Sequence, residues 1–186
     1  MIYWFSADFH LSHSNIIKYC NRPFQNIEEM DIYILENLKN SVNDGDVLYY
    51  LGDLTFNPKV ARKFFSYFKK VEIHYIIGNH DTQEVLKIAN KHCKTVSHMK
   101  DIIIDNIPIT LCHYAMRVWN KSHLNAWQLY GHSHSKLNPV GKQYDVGIDN
   151  NQFEPVSFNK LLGIMEKSPN NFNYIPPELR SGNKVL

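Results

Sequence analysis

The chain is poor in cysteine. Its three residues, Cys20, Cys93 and Cys112, are odd in number and widely spaced, which excludes a disulfide framework and a zinc knuckle. Long apolar runs are missing too, and none approaches the ~20 residues that cross a bilayer as a helix. The first residues, MIYWFSADFH, lack the basic stretch and long apolar core of a signal peptide. Surplus charge is absent: the net is +2 over 186 residues, with signs interspersed. That excludes a polybasic nucleic-acid footprint or membrane patch. Arginine is scarce, four residues against sixteen lysines, and no internal repeat is visible. A soluble, reduced, cytoplasmic protein is expected. Its 44% apolar residues suffice for a sizeable core in one domain.

What the chain does have is a repeated event. Ile2–Ser6 runs into Asp8-Phe9-His10, and Val47–Leu51 into Gly52-Asp53. Val71–Ile77 runs into Gly78-Asn79-His80-Asp81, Ile107–Cys112 into His113, and Ala126–Tyr130 into Gly131-His132-Ser133-His134. Each is an apolar, strand-like segment followed by Asp, Asn or His. Ligands in open α/β sheets bind outside the carboxyl ends of strands. Asp8 and His10 lie two apart, as do His132 and His134, and in extended backbone such pairs point the same way.

Between these segments the helices are legible. Ser12 or Ser14 caps a short helix through Cys20, ended by Asn21-Arg22-Pro23. Asn26 caps a longer one, with Ile27, Met30, Ile34, Leu35, Leu38 and Val42 at helical spacing. Asn57-Pro58 reads as cap and first turn, and Thr82–Asn90 as a further helix. So far strands alternate with helices, the signature of βαβ units. From Thr95 the pattern changes to short strands over Thr95–His98, Ile102–Asp105, Ile107–Cys112, Ala126–Tyr130 and Gln143–Ile148, a mixed or antiparallel sheet. Ser157 caps a last helix, Phe158–Glu166. The domain is expected over residues 1–167, with a tail rich in Asn and Pro over 168–186, anchored by Phe172 and Tyr174 or disordered.

The strand-end donors are Asp8, His10, Asp53, Asn79, His113, His132 and His134. All offer oxygen or nitrogen. Aspartate and neutral imidazole suit Mn, Fe, Ni or Zn, and seven donors suit two ions sharing a carboxylate, at the ~3.5–4 Å spacing of paired metals. Singly, each aspartate reads as a turn residue and each histidine as structural; it is their order and placement that argue for metal.

DFH, GD, GNHD, a lone His after a strand, and GHSH are, in order, the motif blocks of calcineurin-like metallophosphoesterases. The chain resembles that superfamily from Asp8 to His134, and its small bacterial and phage members in DxHxxHxNII (Asp8 to Ile17) and Arg22-Pro23-Phe24. The resemblance implies an α/β fold of two packed mixed β-sheets flanked by helices, a four-layer α-β-β-α sandwich. It implies that Asp8, His10 and His134 hold one metal, that Asn79, His113 and His132 hold the other, and that Asp53 bridges them. His80 would donate a proton to the leaving oxygen or brace the phosphate. Two divalent ions are implied, Mn2+ in first place with Fe, Ni or Zn as alternatives. Two cations lower the pKa of a shared water toward ~7–9, so a bridging hydroxide can attack phosphorus in line. His13, Arg22 and Arg117 are candidates for binding substrate phosphate. Trp119, Asn120 and Trp127 suit either a base-stacking pocket or the core, with core favoured.

One departure bears on substrate. The protein Ser/Thr phosphatases of the superfamily read GDxVDRG in the second block. Here it is Gly52-Asp53-Leu54-Thr55-Phe56-Asn57, without the aspartate that would orient the catalytic histidine and without the arginine. Asp81 is the nearest carboxylate to His80 in sequence. The expected function is a phosphodiesterase acting on a small phosphate ester or nucleotide. A phosphomonoesterase and a metal-bound, non-catalytic scaffold are the alternatives.

Overall fold

The computed structural model describes residues 1–180. Two sheets pack face to face. The first contains β1 (Tyr3–Ser6), β2 (Val47–Tyr50), β3 (Glu72–Ile76), β4 (Thr95–Ser97) and β9 (Val156–Ser157), in the order β4-β3-β2-β1-β9. Its strands are parallel except β9, which runs antiparallel to β1. The second contains β5 (Met99–Ile104), β6 (Ile107–Cys112), β7 (Trp127–Tyr130) and β8 (Gln143–Asp145), in that order. The β5–β6 pair is antiparallel and the others are parallel. This is the expected α/β arrangement of two mixed sheets flanked by helices. The change of sheet comes at Met99 rather than Thr95, because β4 still pairs with β3.

Strand β2 shows why two cores form. Side chains alternate across a strand. Leu48 and Tyr50 enter a core beneath the helices α1 (Asn15–Tyr19), α2 (Ile27–Ser41), α3 (Pro58–Tyr67) and α4 (Gln83–His92). Val47, Tyr49 and Leu51 enter a second core between the sheets, where they meet Ile109, Leu111 and Leu129. A strand buried on both faces reads as an unbroken apolar run, as β2 does. Helix α5 (Phe158–Lys167) adds Phe158, Leu161 and Met165 to the inter-sheet core.

The caps follow the sequence signals: Asn26 accepts from the Glu29 N–H, Asn57 from Lys59, Thr82 from Val85 and Ser157 from Lys160. Ser14 makes no side-chain cap. The expected strand over Gln143–Ile148 ends at Asp145. Beyond it the chain turns through a 3-10 segment, Ile148–Asn150, because Asp145 caps its own turn by accepting from the Gly147 N–H at 2.8 Å. In the C-terminal segment the anchor is Asn171, not Phe172 or Tyr174. Asn171 is buried, and its amide donates to the carbonyls of Ser122 and Ala126. The expectations for residues 181–186 lie outside the described residues.

Candidate metal centre

The loop after β1 lies along the loop after β2. The N–H groups of Asp8, His10 and Leu11 donate to the carbonyls of Gly52, Asp53 and Leu54 at 2.8–3.0 Å. This extends the β1–β2 pairing with backbone that is no longer extended. Asp8, His10 and Asp53 have φ of 63°, 50° and 60°, and His132 and His134 have 66° and 46°. Left-handed backbone at a non-glycine residue is uncommon and costs of order 1–3 kcal/mol. Five of the seven expected ligands carry it. The alternate-residue argument for Asp8 with His10 and His132 with His134 is therefore corrected: these pairs converge through left-handed turns, not through the pleat of a strand.

The two turns fit only with glycine beside them. Gly52 has φ of 91°, and a Cβ there would stand 2.6 Å from the Gly78 nitrogen. At Gly131 a Cβ would stand 2.6 Å from Asp8 Oδ2. Real Cβ atoms do not approach so closely, so both positions serve the close packing of backbone around the carboxylates.

The donors form two groups. Asp8, His10 and His134 each place one ligand atom within 4.8 Å of the others, and so do Asp53, His113 and His132. Asn79 joins the second group through its Oδ1, 3.0 Å from His113 Nε2. The groups meet at Asp53, whose Oδ2 lies 3.7 Å from His10 Nε2 and 3.4 Å from His113 Nε2. All seven expected ligands are thus brought together. Asp8, His10, Asp53 and His113 are buried, while Asn79, His80 and His132 are exposed.

Each carboxylate has one oxygen held and one bare. Asp8 Oδ2 accepts the His132 backbone N–H at 2.8 Å, and Asp53 Oδ1 accepts the His80 backbone N–H at 2.8 Å. Asp8 Oδ1 and Asp53 Oδ2, with His10 Nε2, are buried and have no hydrogen-bond partner among the described residues. A buried polar atom left without a partner costs ~1–3 kcal/mol, more if charged. Three such atoms in one place, two of them carboxyl oxygens, are the donor set a divalent cation satisfies.

The electrostatics agree. Burial pushes the Asp8 carboxyl up to about 7, against the pull of His113 and His134. Burial pushes His10 down to about 3, keeping it a neutral ligand. Burial also disfavours charge on His134, but its bond to Asp149, with Cys20 and Asp8, raises it to about 10. His113 is raised as well: burial opposes the charge, and Asp53, Asp8 and the Leu51 carbonyl outweigh it. Burial raises Asp53, yet its contacts with His113, the His80 N–H and His10 leave it lowered. The carboxylates favour a proton on His113 and His134, a positive charge that a metal ion would bring in its place, while His10 stays neutral.

A second layer orients these groups. His113 Nδ1 faces the Leu51 carbonyl at 2.6 Å and His134 Nδ1 faces Asp149 Oδ2 at 2.7 Å. Donation from each Nδ1 turns the Nε2 toward the site, as metal-binding histidines require. Asp149 in turn holds Arg22 through two bonds of 2.8 Å. The same guanidinium donates to the carbonyls of Phe9 and Asp8, at 2.9 and 2.7 Å. Arg22 is only 4% exposed. The phosphate contact expected of Arg22 is corrected accordingly: its nitrogens are turned into the protein and bracket the Asp8–His10 turn. Asp145 holds the other turn, accepting from the Ser133 hydroxyl at 2.5 Å and the Ser135 N–H at 3.2 Å. Asp145 and Asp149 were not expected. Asp145 and Asp149 flank Val146-Gly147-Ile148, but the polar Lys142-Gln143 before them hides the strand-end pattern seen elsewhere.

His80 projects beside the two groups, its ring 5.4 Å from that of His10 and 5.3 Å from that of Phe56. Asp81 does not orient it. The Asp81 carboxylate accepts from the Tyr75 hydroxyl at 2.6 Å and from the N–H groups of Gly78, Asp53 and Leu54, so it ties the β3 turn to the β2 turn. His13 is half-buried beside His10, with its Nδ1 unpartnered among the described residues. Burial, with His80 and Arg22 nearby, lowers its pKa. Arg117 is exposed and lies over the Phe172 ring at 4.5 Å. Trp119 and Trp127 are buried, and the Trp119 indole donates to the Ala126 carbonyl, so both belong to the core.

No family model matches the chain. The uncharacterized protein MJ1445 of Methanocaldococcus jannaschii is 33% identical over 170 residues, which cover 87% of this chain and 89% of that one. Among solved structures, the chain is similar to the protein of unknown function AQ665 from Aquifex aeolicus. The TM-score is 0.69 at 21% identity, over 88% of this chain and 98% of that one, which shows a shared fold. A novel archaeal phosphodiesterase overlies 85% of this chain with 99% of its own, at a TM-score of 0.47 and 14% identity, too weak a likeness to argue from. On the strength of the sequence match, the chain belongs to the same protein family as MJ1445.

Proposed function

We propose that the protein is a dinuclear metal-dependent phosphoesterase of the calcineurin-like kind, cleaving a phosphodiester in a small or nucleotide substrate. The observation that carries this reading is the trio of buried, unpartnered atoms, Asp8 Oδ1, His10 Nε2 and Asp53 Oδ2, shared between two groups of donors that meet at Asp53. In this reading Asp8, His10 and His134 would hold one ion, Asn79, His113 and His132 would hold the other, and Asp53, which meets both groups, would serve both. Two divalent ions, Mn2+ before Fe, Ni or Zn, supply positive charge against the phosphate oxygens and an activated water at neutral pH.

The chain's own residues do the rest. Leu51 and Asp149 fix the ring orientations of His113 and His134, so the ligands are set before substrate arrives. His80 is exposed, outside both donor groups, and held by its backbone against Asp53. Water would add to phosphorus and give up a proton to solvent, and the bond to the leaving oxygen would break. That oxygen would take a proton from protonated His80, which, exposed to solvent, regains one from it. Proton donation of this kind contributes ~10²–10⁴-fold. His13, beside His10, and the exposed Arg117 are the candidates for contact with the phosphate.

The test is turnover of bis-p-nitrophenyl phosphate and of p-nitrophenyl phosphate by protein loaded with Mn2+, Ni2+ or Zn2+. Metal-dependent hydrolysis with the diester preferred is expected. Stoichiometric metal with no turnover of either ester would leave the non-catalytic scaffold.

A further inference from the structure

Phe56 and Tyr114 stand exposed with their rings close against histidine rings of the site, while Tyr19, also exposed, lies farther off at 6.3 Å from His13. Phe56 is 39% exposed, and its ring meets those of His13 at 5.1 Å and His80 at 5.3 Å, near perpendicular to both. Tyr114 is 45% exposed, and its ring meets those of His113 at 5.1 Å and His132 at 4.8 Å. One ring flanks the proposed proton donor, and the other flanks two ligands of the second group.

Neither is a loose loop residue. Phe56 sits between Thr55, bridged to Leu11 and donating its hydroxyl to the Leu11 carbonyl at 2.7 Å, and Asn57, the cap of α3. The Tyr114 carbonyl accepts from the fully buried Gln128 side chain at 3.0 Å. Scattered exposed apolar residues need no explanation. Aromatic residues whose backbone is held beside each donor group of a polar, charge-lined site do. Flat, apolar faces next to a phosphate site suit flat, apolar groups attached to the phosphate, and nucleobases stack on aromatic side chains whatever their sequence. A substrate that met only one ring would need only one aromatic group. The near-neutral net charge and the absence of a basic stripe disfavour a long polyanion.

We infer that Phe56 and Tyr114 are stacking walls for the two groups esterified to the phosphate, and that the substrate is a phosphodiester with a nucleoside on each side, the chemistry of a dinucleotide. The inference rests on the phosphoesterase reading above. It goes further in naming the substrate's two arms and the residues that receive them.

The experiment uses the full chain loaded with Mn2+. Calorimetry compares binding of thymidine 5′-monophosphate and deoxyribose 5-phosphate to wild type and to the double variant Phe56→Leu/Tyr114→Leu, with melting temperature and metal content checked. Leucine keeps apolar bulk and removes the flat ring. Wild type should prefer the nucleotide by roughly ten-fold or more, and the double variant should bring the two ligands to within about two-fold. On thymidylyl-thymidine each single variant should lower kcat/KM by roughly five-fold or more, chiefly through KM. Equal binding of the two ligands by wild type, or a preference that survives in the double variant, would overturn the inference. Hydrolysis of bis-p-nitrophenyl phosphate without nucleotide preference would sink the walls and leave the phosphoesterase reading standing. A nucleotide preference in protein that hydrolyses no phosphate ester would sink that reading, and with it the substrate assignment, while showing that the walls bind bases.

Discussion

Replacing Arg22 by methionine separates two accounts of that residue. In the structure it is a buried bracket. Its side chain is closed off together with that of Asp149, at 0% and 6% exposure, and it also carries the carbonyls of Asp8 and Phe9. Methionine keeps the length and apolar stem but removes the guanidinium, leaving Asp149 with His134 as its remaining partner and the Asp8 and Phe9 carbonyls without their donor. Removing one partner of a buried ion pair costs ~3–5 kcal/mol. For a chain of this size, 1 kcal/mol moves the melting temperature by ~2–4 °C, so Arg22→Met should lower it by about 6–20 °C. The double variant Arg22→Met/Asp149→Leu removes both charges and should recover part of that loss. It should still weaken metal binding ~10–100-fold, because His134 has lost the carboxylate that orients it. Differential scanning calorimetry and metal titration read the two effects separately. A melting temperature within about 2 °C of wild type, with a raised KM for phosphate esters, would refute the bracket and return Arg22 to the substrate.

Two further predictions concern the site and the frame. His80→Ala should keep its metal and lose ~10²-fold or more on an alkyl or nucleotide ester, but much less on a p-nitrophenyl ester, whose leaving group hardly needs a proton; equal losses on both would make His80 an electrostatic brace. Asp46 ties the start of β1 to the start of β2, accepting from the Ile2 N–H, the Asn43 N–H and the Trp4 indole. Burial raises its pKa, these bonds outweigh that, and the net shift is downward. Its stabilisation is therefore present above the unfolded value of ~3.9 and lost as pH falls through the lower folded value. Urea melts should show Asp46→Asn less stable than wild type at pH 7, with the gap closing below pH ~4; a gap independent of pH down to pH 2 would refute the assignment.

The strand-end donors were legible because a buried strand is a run of apolar residues, and the change to Asp, Asn or His marks where it leaves the core. Caps were legible for a similar reason: Asn26, Asn57, Thr82 and Ser157 act on N–H groups two or three residues away. The left-handed backbone at Asp8, His10 and Asp53 was not legible, since it is imposed by the pairing of two loops more than 40 residues apart. The roles of Arg22 and Asp149 were hidden for the same reason. They sit 127 positions apart, and an arginine near a phosphate motif reads as a phosphate ligand until its partner is seen. Asp81 adjoins His80 in sequence, yet its carboxylate is consumed by Tyr75 and the turn.

In the proposed site Asp53 joins the two groups that would each hold a metal ion. This role is tested most directly by counting metal ions per chain, by plasma mass spectrometry after equilibration with Mn2+, in wild type and in Asp53→Asn, with circular dichroism to verify the fold. Two ions are expected in wild type and at most one, weakly held, in a folded variant. A wild type that holds none, or a variant that keeps two, would contradict it.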